Sequence, residues 1–111
     1  MIGVNLKTEK NITMKTTFKN TTGTSFNGTT IETTVQNLRK VLGNPSFEDN
    51  TGEDKVNFEW DCEIENGNVV TVYDWKQYRE IDENEIISFH IGGFNSTDTS
   101  DEKIELEKLL K

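Results

Sequence analysis

Hydrophobic and polar positions alternate most strictly between Lys55 and Glu65. Val56, Phe58, Trp60, Cys62 and Ile64 share one parity, and Asn57, Glu59, Asp61 and Glu63 the other. A period of two is the signature of a half-buried β-strand. Asn66-Gly67 follows, a dipeptide suited to a tight hairpin turn. With those two residues as the loop, Ile64 is expected to face Val69, Cys62 to face Thr71, Trp60 to face Tyr73 and Phe58 to face Trp75. On the other side of the ribbon this register sets Asp61 against Val72 and Glu59 against Asp74. A third strand over residues 85–92 would carry Ile87, Phe89 and Ile91 on one face and Ser88 and His90 on the other.

Elsewhere the period changes. Ile31, Val35, Leu38, Val41 and Leu42 recur at helical spacing, with Thr30 or Thr33 available as an N-cap and Glu32 in the first turn. Arg39 and Lys40 suit the last turn, Gly43 a left-handed C-cap, and Pro45 forbids continuation. A final helix is expected over residues 101–110, capped by Asp98 or Ser100, with Ile104, Leu106, Leu109 and Leu110 as its apolar set. Upstream, residues 12–19 read as an edge strand with Ile12, Met14, Thr16 and Phe18 in phase. Residues 1–10 are expected to fray, Phe26-Asn27-Gly28-Thr29 to turn, and residues 46–54 to form an acidic loop without a core anchor. The order β-α-β-β-β-α predicts one α+β domain, residues 1–111. It is an antiparallel meander with one or two helices packed on the aromatic face.

Composition narrows the function classes. In 111 residues only 32% are apolar, so a small aromatic-weighted core, or one completed in a homo-oligomer, is expected. No apolar run approaches the ~20 residues of a membrane span, and Met1-Ile2-Gly3-Val4-Asn5-Leu6 is too short and too soon polar for a signal peptide. A cytoplasmic location is the expectation. The lone Cys62 excludes an internal disulfide framework and a cysteine-based zinc site. The formal charge of −8 divides as +4 over residues 1–45 and −12 over residues 46–111. That balance argues against general nucleic-acid binding, which needs a basic footprint, and leaves room for a local cationic pocket.

Two stretches carry candidate chemistry. In Asp74-Trp75-Lys76-Gln77-Tyr78-Arg79, aromatics interleave with cations, the combination that stacks a base and neutralises a phosphate. Trp75, Lys76, Tyr78 and Arg79 are therefore candidate ligand residues for a nucleotide-like molecule. The alternative reading has Trp75 in the core and the cations paired with nearby acids. His90-Ile91-Gly92-Gly93 adds an imidazole and two glycines that let a backbone approach a ligand closely. The carboxylates Glu59, Asp61, Glu63 and Asp74 form a candidate partner-binding face for a basic protein surface. His90 beside Glu59 and Asp74 would have a raised pKa, and the three suggest a less favoured alternative, a metal-assisted hydrolase. No cofactor is expected. There is no phosphate-loop, dinucleotide or nucleophile-elbow pattern, so a binding role is preferred to an enzymatic one.

Two resemblances add to this reading. The helix ending Leu42-Gly43-Asn44-Pro45, followed by an acidic loop and an aromatic strand, resembles the repeat of beta-lactamase-inhibitor-protein-like folds, which implies a helix on an antiparallel sheet and a role in protein binding. Phe26-Asn27-Gly28-Thr29, Leu42-Gly43-Asn44-Pro45, Tyr73-Asp74-Trp75-Lys76-Gln77-Tyr78-Arg79 and His90-Ile91-Gly92-Gly93 occur in that order. Together they resemble small proteins of tailed bacteriophages, in which Trp commonly precedes the His where Phe89 stands here. The resemblance implies a context, the cytoplasm of a bacterial host. The role it implies is action against a host defence component, by sequestering a nucleotide-like signal or by occupying a host protein. It implies no activity.

Overall fold

The computed structural model describes residues 14–111. They form an α+β fold, a six-stranded antiparallel sheet with two helices. The elements are β1 (Lys15–Thr16), β2 (Ser25–Thr33), α1 (Val35–Leu42), β3 (Phe47–Glu48), β4 (Phe58–Glu63), β5 (Val69–Tyr73), β6 (Ile87–Gly93) and α2 (Ser96–Leu110). The strand order is β1-β4-β5-β6-β2, with β3 also paired to β4. The core contains Phe58, Trp60, Cys62, Val70, Val72, Phe89 and Ile91 from the sheet. Val35, Leu38, Leu42 and Leu106 from the helices join them, so both helices lie on the aromatic face.

The hairpin register differs from expectation by one residue. Trp60 lies opposite Val72, Cys62 opposite Val70, and Glu59 opposite Tyr73. The loop holds three residues, Glu65, Asn66 and Gly67: Gly67 N–H donates to the Ile64 carbonyl at 2.8 Å, Ile64 N–H donates to the Asn68 carbonyl, and Gly67 has φ 87°. This is a turn closed by a left-handed glycine bulge rather than a two-residue loop. Because side chains alternate, the slip exchanges the faces of β5. Val70 and Val72 enter the core, while Thr71 and Tyr73 join Glu59 and Asp61 on the opposite side.

Residues 26–29 do not turn away. They belong to β2, which pairs with β6 along its length and accommodates a bulge between Phe26 and Thr29, with Gly28 at φ 90°. Ile31 is buried in that strand, so α1 starts later, at Thr34, whose hydroxyl accepts from Asn37 N–H at 3.0 Å. Its end is as expected, with Gly43 N–H donating to the Arg39 carbonyl. The last helix begins five residues earlier than expected, with Asn95 as its cap accepting from Asp98 N–H. Ile104 is exposed, whereas Glu102 and Leu106 are fully buried. Met14 is buried but Phe18 stands fully in solvent. Ile12 and the expected fraying of residues 1–10 lie outside the described residues.

The acidic loop is anchored after all. Asn50 Oδ1 accepts from Ile81 N–H and from Asn57 Nδ2, and Asn50 Nδ2 donates to the Ile81 carbonyl. Asn57 Nδ2 also donates to the Arg79 carbonyl at 2.8 Å. Polar side chains thus lace residues 49–57 to residues 79–81 where apolar ones are scarce.

Candidate functional site

Among the described residues no helix covers the second face of the sheet. The connection between β1 and β2 covers part of it, for a topological reason. β1 lies beside β4 and β2 beside β6, on opposite sides of the sheet. Residues 17–24 must therefore cross from one edge to the other, and they do so as a strap. Its start is held by Lys19 Nζ, 3.2 Å from Glu63 Oε2 and 3.1 Å from the Gly67 carbonyl. Beneath residues 21–25 lies a cavity of about 400 Å³ whose floor and wall include Glu59, Thr71, Tyr73 and Trp75. This is in the range of small-ligand sites, ~300–1,000 Å³.

The aromatic side chains on this face form a continuous array. Phe26 stacks on His90 with ring centroids 4.0 Å apart, and Trp75 stacks on His90 at 5.9 Å. Tyr73 meets both Trp75 and His90 edge-on at 6.1 and 5.5 Å. Trp75 is 37% exposed, so an aromatic surface remains available. Lys55 Nζ and Lys76 Nζ lie 5.9 and 5.6 Å from its ring centroid, a cation–π arrangement. Neither lysine forms an ion pair among the described residues. Gly92 forms part of the same face. A Cβ there would lie 2.5 Å from Thr71 Oγ1, its partner across the β5–β6 pairing, and 3.4 Å from the Ser25 carbonyl of β2, so the close approach of Thr71 requires glycine.

Electrostatically the centre of the face is a carboxyl pair. Burial and a hydrogen bond to Asp61 push the Glu59 pKa up to about 8. Asp61 Oδ1 is buried and makes no hydrogen bond. Removal from water and a neighbouring carboxyl both disfavour the charged form of Glu59. Burial also raises the Tyr73 pKa. His90 moves opposite to expectation: burial lowers its pKa, because Asp74 is elsewhere and Glu59 retains its proton near neutrality. A neutral imidazole between two aromatic rings is the result.

The structure brings Trp75, Lys76, His90 and Gly92 to this face and places the other candidates apart from it. Arg79 is bidentate to Glu85, with Nη1 and Nη2 at 2.9 and 2.7 Å from its two oxygens. Tyr78 is exposed in a left-handed conformation with φ 53°. Gly93 faces the helices, where a Cβ would lie 3.1 Å from Thr99 Cγ2. The expected row of four carboxylates is broken. Asp74 is fully buried on the core side, accepting from Asn57 N–H at 2.9 Å and Phe58 N–H at 2.7 Å. Glu63 is paired with Lys19, and its pKa is lowered by that contact. Glu59, Asp74 and His90 are not assembled, and among the described residues no group of three or more His, Cys, Asp or Glu could hold a metal ion.

Sequence reasoning missed Phe26, Lys55, Thr71, Tyr73 and the strap. A three-residue loop ending at Gly67 would have shown Tyr73 opposite Glu59. The strap had no local signal, because its position follows from pairings at both edges of the sheet.

A larger groove, about 880 Å³, runs between β2 and α2. Its charged lining is of mixed sign, with Lys103, Lys108, Glu32 and Glu107, and it offers no aromatic surface. The smaller cavity is therefore the better candidate site. Among the described residues no helix is long and apolar enough to cross a membrane. Neither a family model, nor a curated protein, nor a solved structure matches the chain.

Proposed function

We propose that this chain is a non-enzymatic binding protein that holds a nucleotide-like small molecule in the strapped cavity. The reading rests on one observation: an accessible Trp75 bordering a cavity that Glu59 also lines, with Lys55 and Lys76 beside the indole. A flat base needs an aromatic wall and a polar group at its edge, and its phosphate needs a cation. Here the three sit on one sheet face. The strap contributes Thr21, Thr22 and Thr24, and the start of β2 Ser25, whose hydroxyls both donate and accept.

The order of the phage-type segments supports a setting for this binding, the cytoplasm of an infected bacterium. There a small protein of this kind sequesters a nucleotide signal of host defence. Occupation of a basic host protein by an acidic face is the weaker reading. Of the four carboxylates it would use, Asp74 is buried, Glu63 is ion-paired and Glu59 has its pKa pushed up to about 8 by burial and its neighbour Asp61.

Native mass spectrometry of the purified chain, incubated with a panel of nucleoside monophosphates, tests the proposal. At least one nucleotide adduct is expected. Trp75→Ala should reduce that adduct about ten-fold, since stacking on an aromatic is worth ~1–3 kcal/mol per base. Absence of any adduct, or equal binding by Trp75→Ala, refutes the proposal. The spectrum also reports whether the chain forms the homo-oligomer that its low apolar content leads one to expect.

A further inference from the structure

The two edges of the sheet are finished differently. At one, β1 and β3 are strands of two residues each, too short to template another chain. At the other lies β2, nine residues long. A bulge disrupts it between Phe26 and Thr29, but over residues 29–33 it pairs with β6 without a shift. Its outer side meets no strand among the described residues. Residues 29–33 include neither Pro nor Lys, which commonly blunt such an edge. The outward N–H and C=O groups of a regular edge are a ready template for strand addition.

We infer that this edge docks a second copy of the chain, which adds its own β2 across a two-fold axis and continues the sheet from one subunit into the next. The inference is independent of the nucleotide reading, since the groove beside β2 and the strapped cavity share no residue.

The space beside β2 suits an added strand. The groove of about 880 Å³ is lined by four consecutive residues of β2, Thr30, Ile31, Glu32 and Thr33, and by α2. Side chains of a strand alternate between faces. A groove reached by four in succession therefore follows the edge of the sheet rather than one face. Ile104 of α2 borders it and is 52% exposed. A two-fold axis normal to the sheet pairs the two β2 strands antiparallel and sets both α2 helices on the same face, with an Ile104 from each bordering the junction.

Charge complementarity favours a second copy as the occupant. The lining holds Lys103, Lys108 and Lys111 against Glu32 and Glu107. None of these five side chains forms an ion pair among the described residues. Copies of a chain with net charge −8 repel one another in general, whereas this groove carries three cations and two anions. Two-fold pairing sets a surface against itself, so a lining of both signs is satisfied when the acids of one copy meet the lysines of the other. An acidic peptide is the competing occupant. It would gain the three lysines but oppose Glu32 and Glu107, and is disfavoured for that reason.

Size-exclusion chromatography with light scattering on the full chain tests the inference. At about 100 μM the mass should be twice the 12.7 kDa of one chain, and it should fall toward that value on dilution. Glu32→Lys leaves four cations against one acid in the lining, and Ile104→Lys puts a charge on its apolar border. Each should weaken the dimer about ten-fold or more. Both positions are exposed, so the variants should keep the circular dichroism spectrum of the wild-type chain. Amide hydrogen exchange over residues 29–33 should slow as the wild-type chain passes from monomer to dimer. A wild-type chain that stays monomeric at about 100 μM overturns the inference without recourse to a variant. A dimer that neither substitution weakens, or whose formation leaves exchange at residues 29–33 unchanged, lies on another surface and overturns it as well. Binding of a peptide of alternating Glu and Val to a monomeric chain, tightened by Glu32→Lys, would assign the edge to a foreign strand instead.

Discussion

Asp74 and Trp75 are neighbours in the sequence with opposite assignments in space. Asp74 turns into the protein and closes the start of β4, where backbone N–H groups of Asn57 and Phe58 lack a strand partner and converge on its carboxylate. Buried donors need acceptors, and a carboxylate satisfies both at once. Its role is to hold the chain where Trp75 emerges on the strap-covered face. Replacing Asp74 by Ala would strand two buried N–H groups and should destabilise the fold by about 2–4 kcal/mol. Asp74→Asn retains one acceptor and should cost less. Urea denaturation followed by Trp fluorescence measures both. Glu102 poses the opposite case. It is fully buried on α2 with neither oxygen hydrogen-bonded, and burial with the nearby Glu105 and Asp98 raises its pKa well above the usual carboxylate value. Here a buried polar group lacks compensation, so Glu102→Leu should stabilise the protein by about 1–3 kcal/mol at pH 7.

At the scale of elements, β4, β5, β6 and the C-terminal end of α1 were legible in the sequence, whereas β2, both helix starts and the hairpin register were not. Strict alternation from Phe58 to Ile64 showed β4 and its core face, although Val56, given the same parity, lines the strapped cavity instead, and Gly43 with Pro45 showed the end of α1. The hairpin loop was misjudged because Asn66-Gly67 fits either a two-residue turn or the end of a three-residue one, and the apolar run Val69-Val70 tolerates both. That one-residue ambiguity moved Thr71, Tyr73, Asp74 and Trp75 between faces, which is why half of the candidate site was misassigned. Ile31 was assigned to a helix because a strand followed at once by a helix leaves no break in the apolar pattern. The loop anchored by Asn50 and Asn57 was illegible for another reason, since its contacts are polar and distant in sequence. Gly52 shows how close that packing is. It has φ 81°, and a Cβ there would lie 2.3 Å from Arg79 N and 2.4 Å from Arg79 Cα. Backbone cannot yield as a side-chain tip can, so Gly52→Ala should cost at least ~2 kcal/mol, well beyond the ~1 kcal/mol of an exposed left-handed glycine. Gly67→Ala, with its nearest neighbour the Lys19 Nζ at 3.8 Å, should show only the smaller conformational cost. Comparing the two variants by chemical denaturation separates steric contact from backbone strain.

For the whole molecule, the titrating carboxyls fall into two groups that set a pH profile of stability. Glu63 and Glu85 have lowered pKa values through Lys19 and Arg79; the stability they contribute is present above the unfolded pKa and is lost as pH falls through their folded values. Glu59, with its pKa pushed up to about 8, and Glu102, raised by burial, behave inversely. In the native state they keep protons that the unfolded chain has released above about pH 4.5, the usual Glu value. Between that pH and their folded values the native state binds more protons, so stability falls as pH rises. The first group consists of exposed ion pairs, which contribute little, whereas the second includes a fully buried acid. The buried acids should therefore dominate, and thermal unfolding should show a lower Tm at pH 8 than at pH 5.5, despite an overall charge of −8 at pH 7 that has the same sign of effect. Salt distinguishes the two causes, since screening removes general repulsion and leaves desolvation in place. A decline that persists at 0.5 M NaCl and shrinks in Glu102→Leu belongs to the buried carboxyl. A decline abolished by salt and unchanged in that variant would instead belong to net charge, and the native protonation of Glu102 would have to be abandoned.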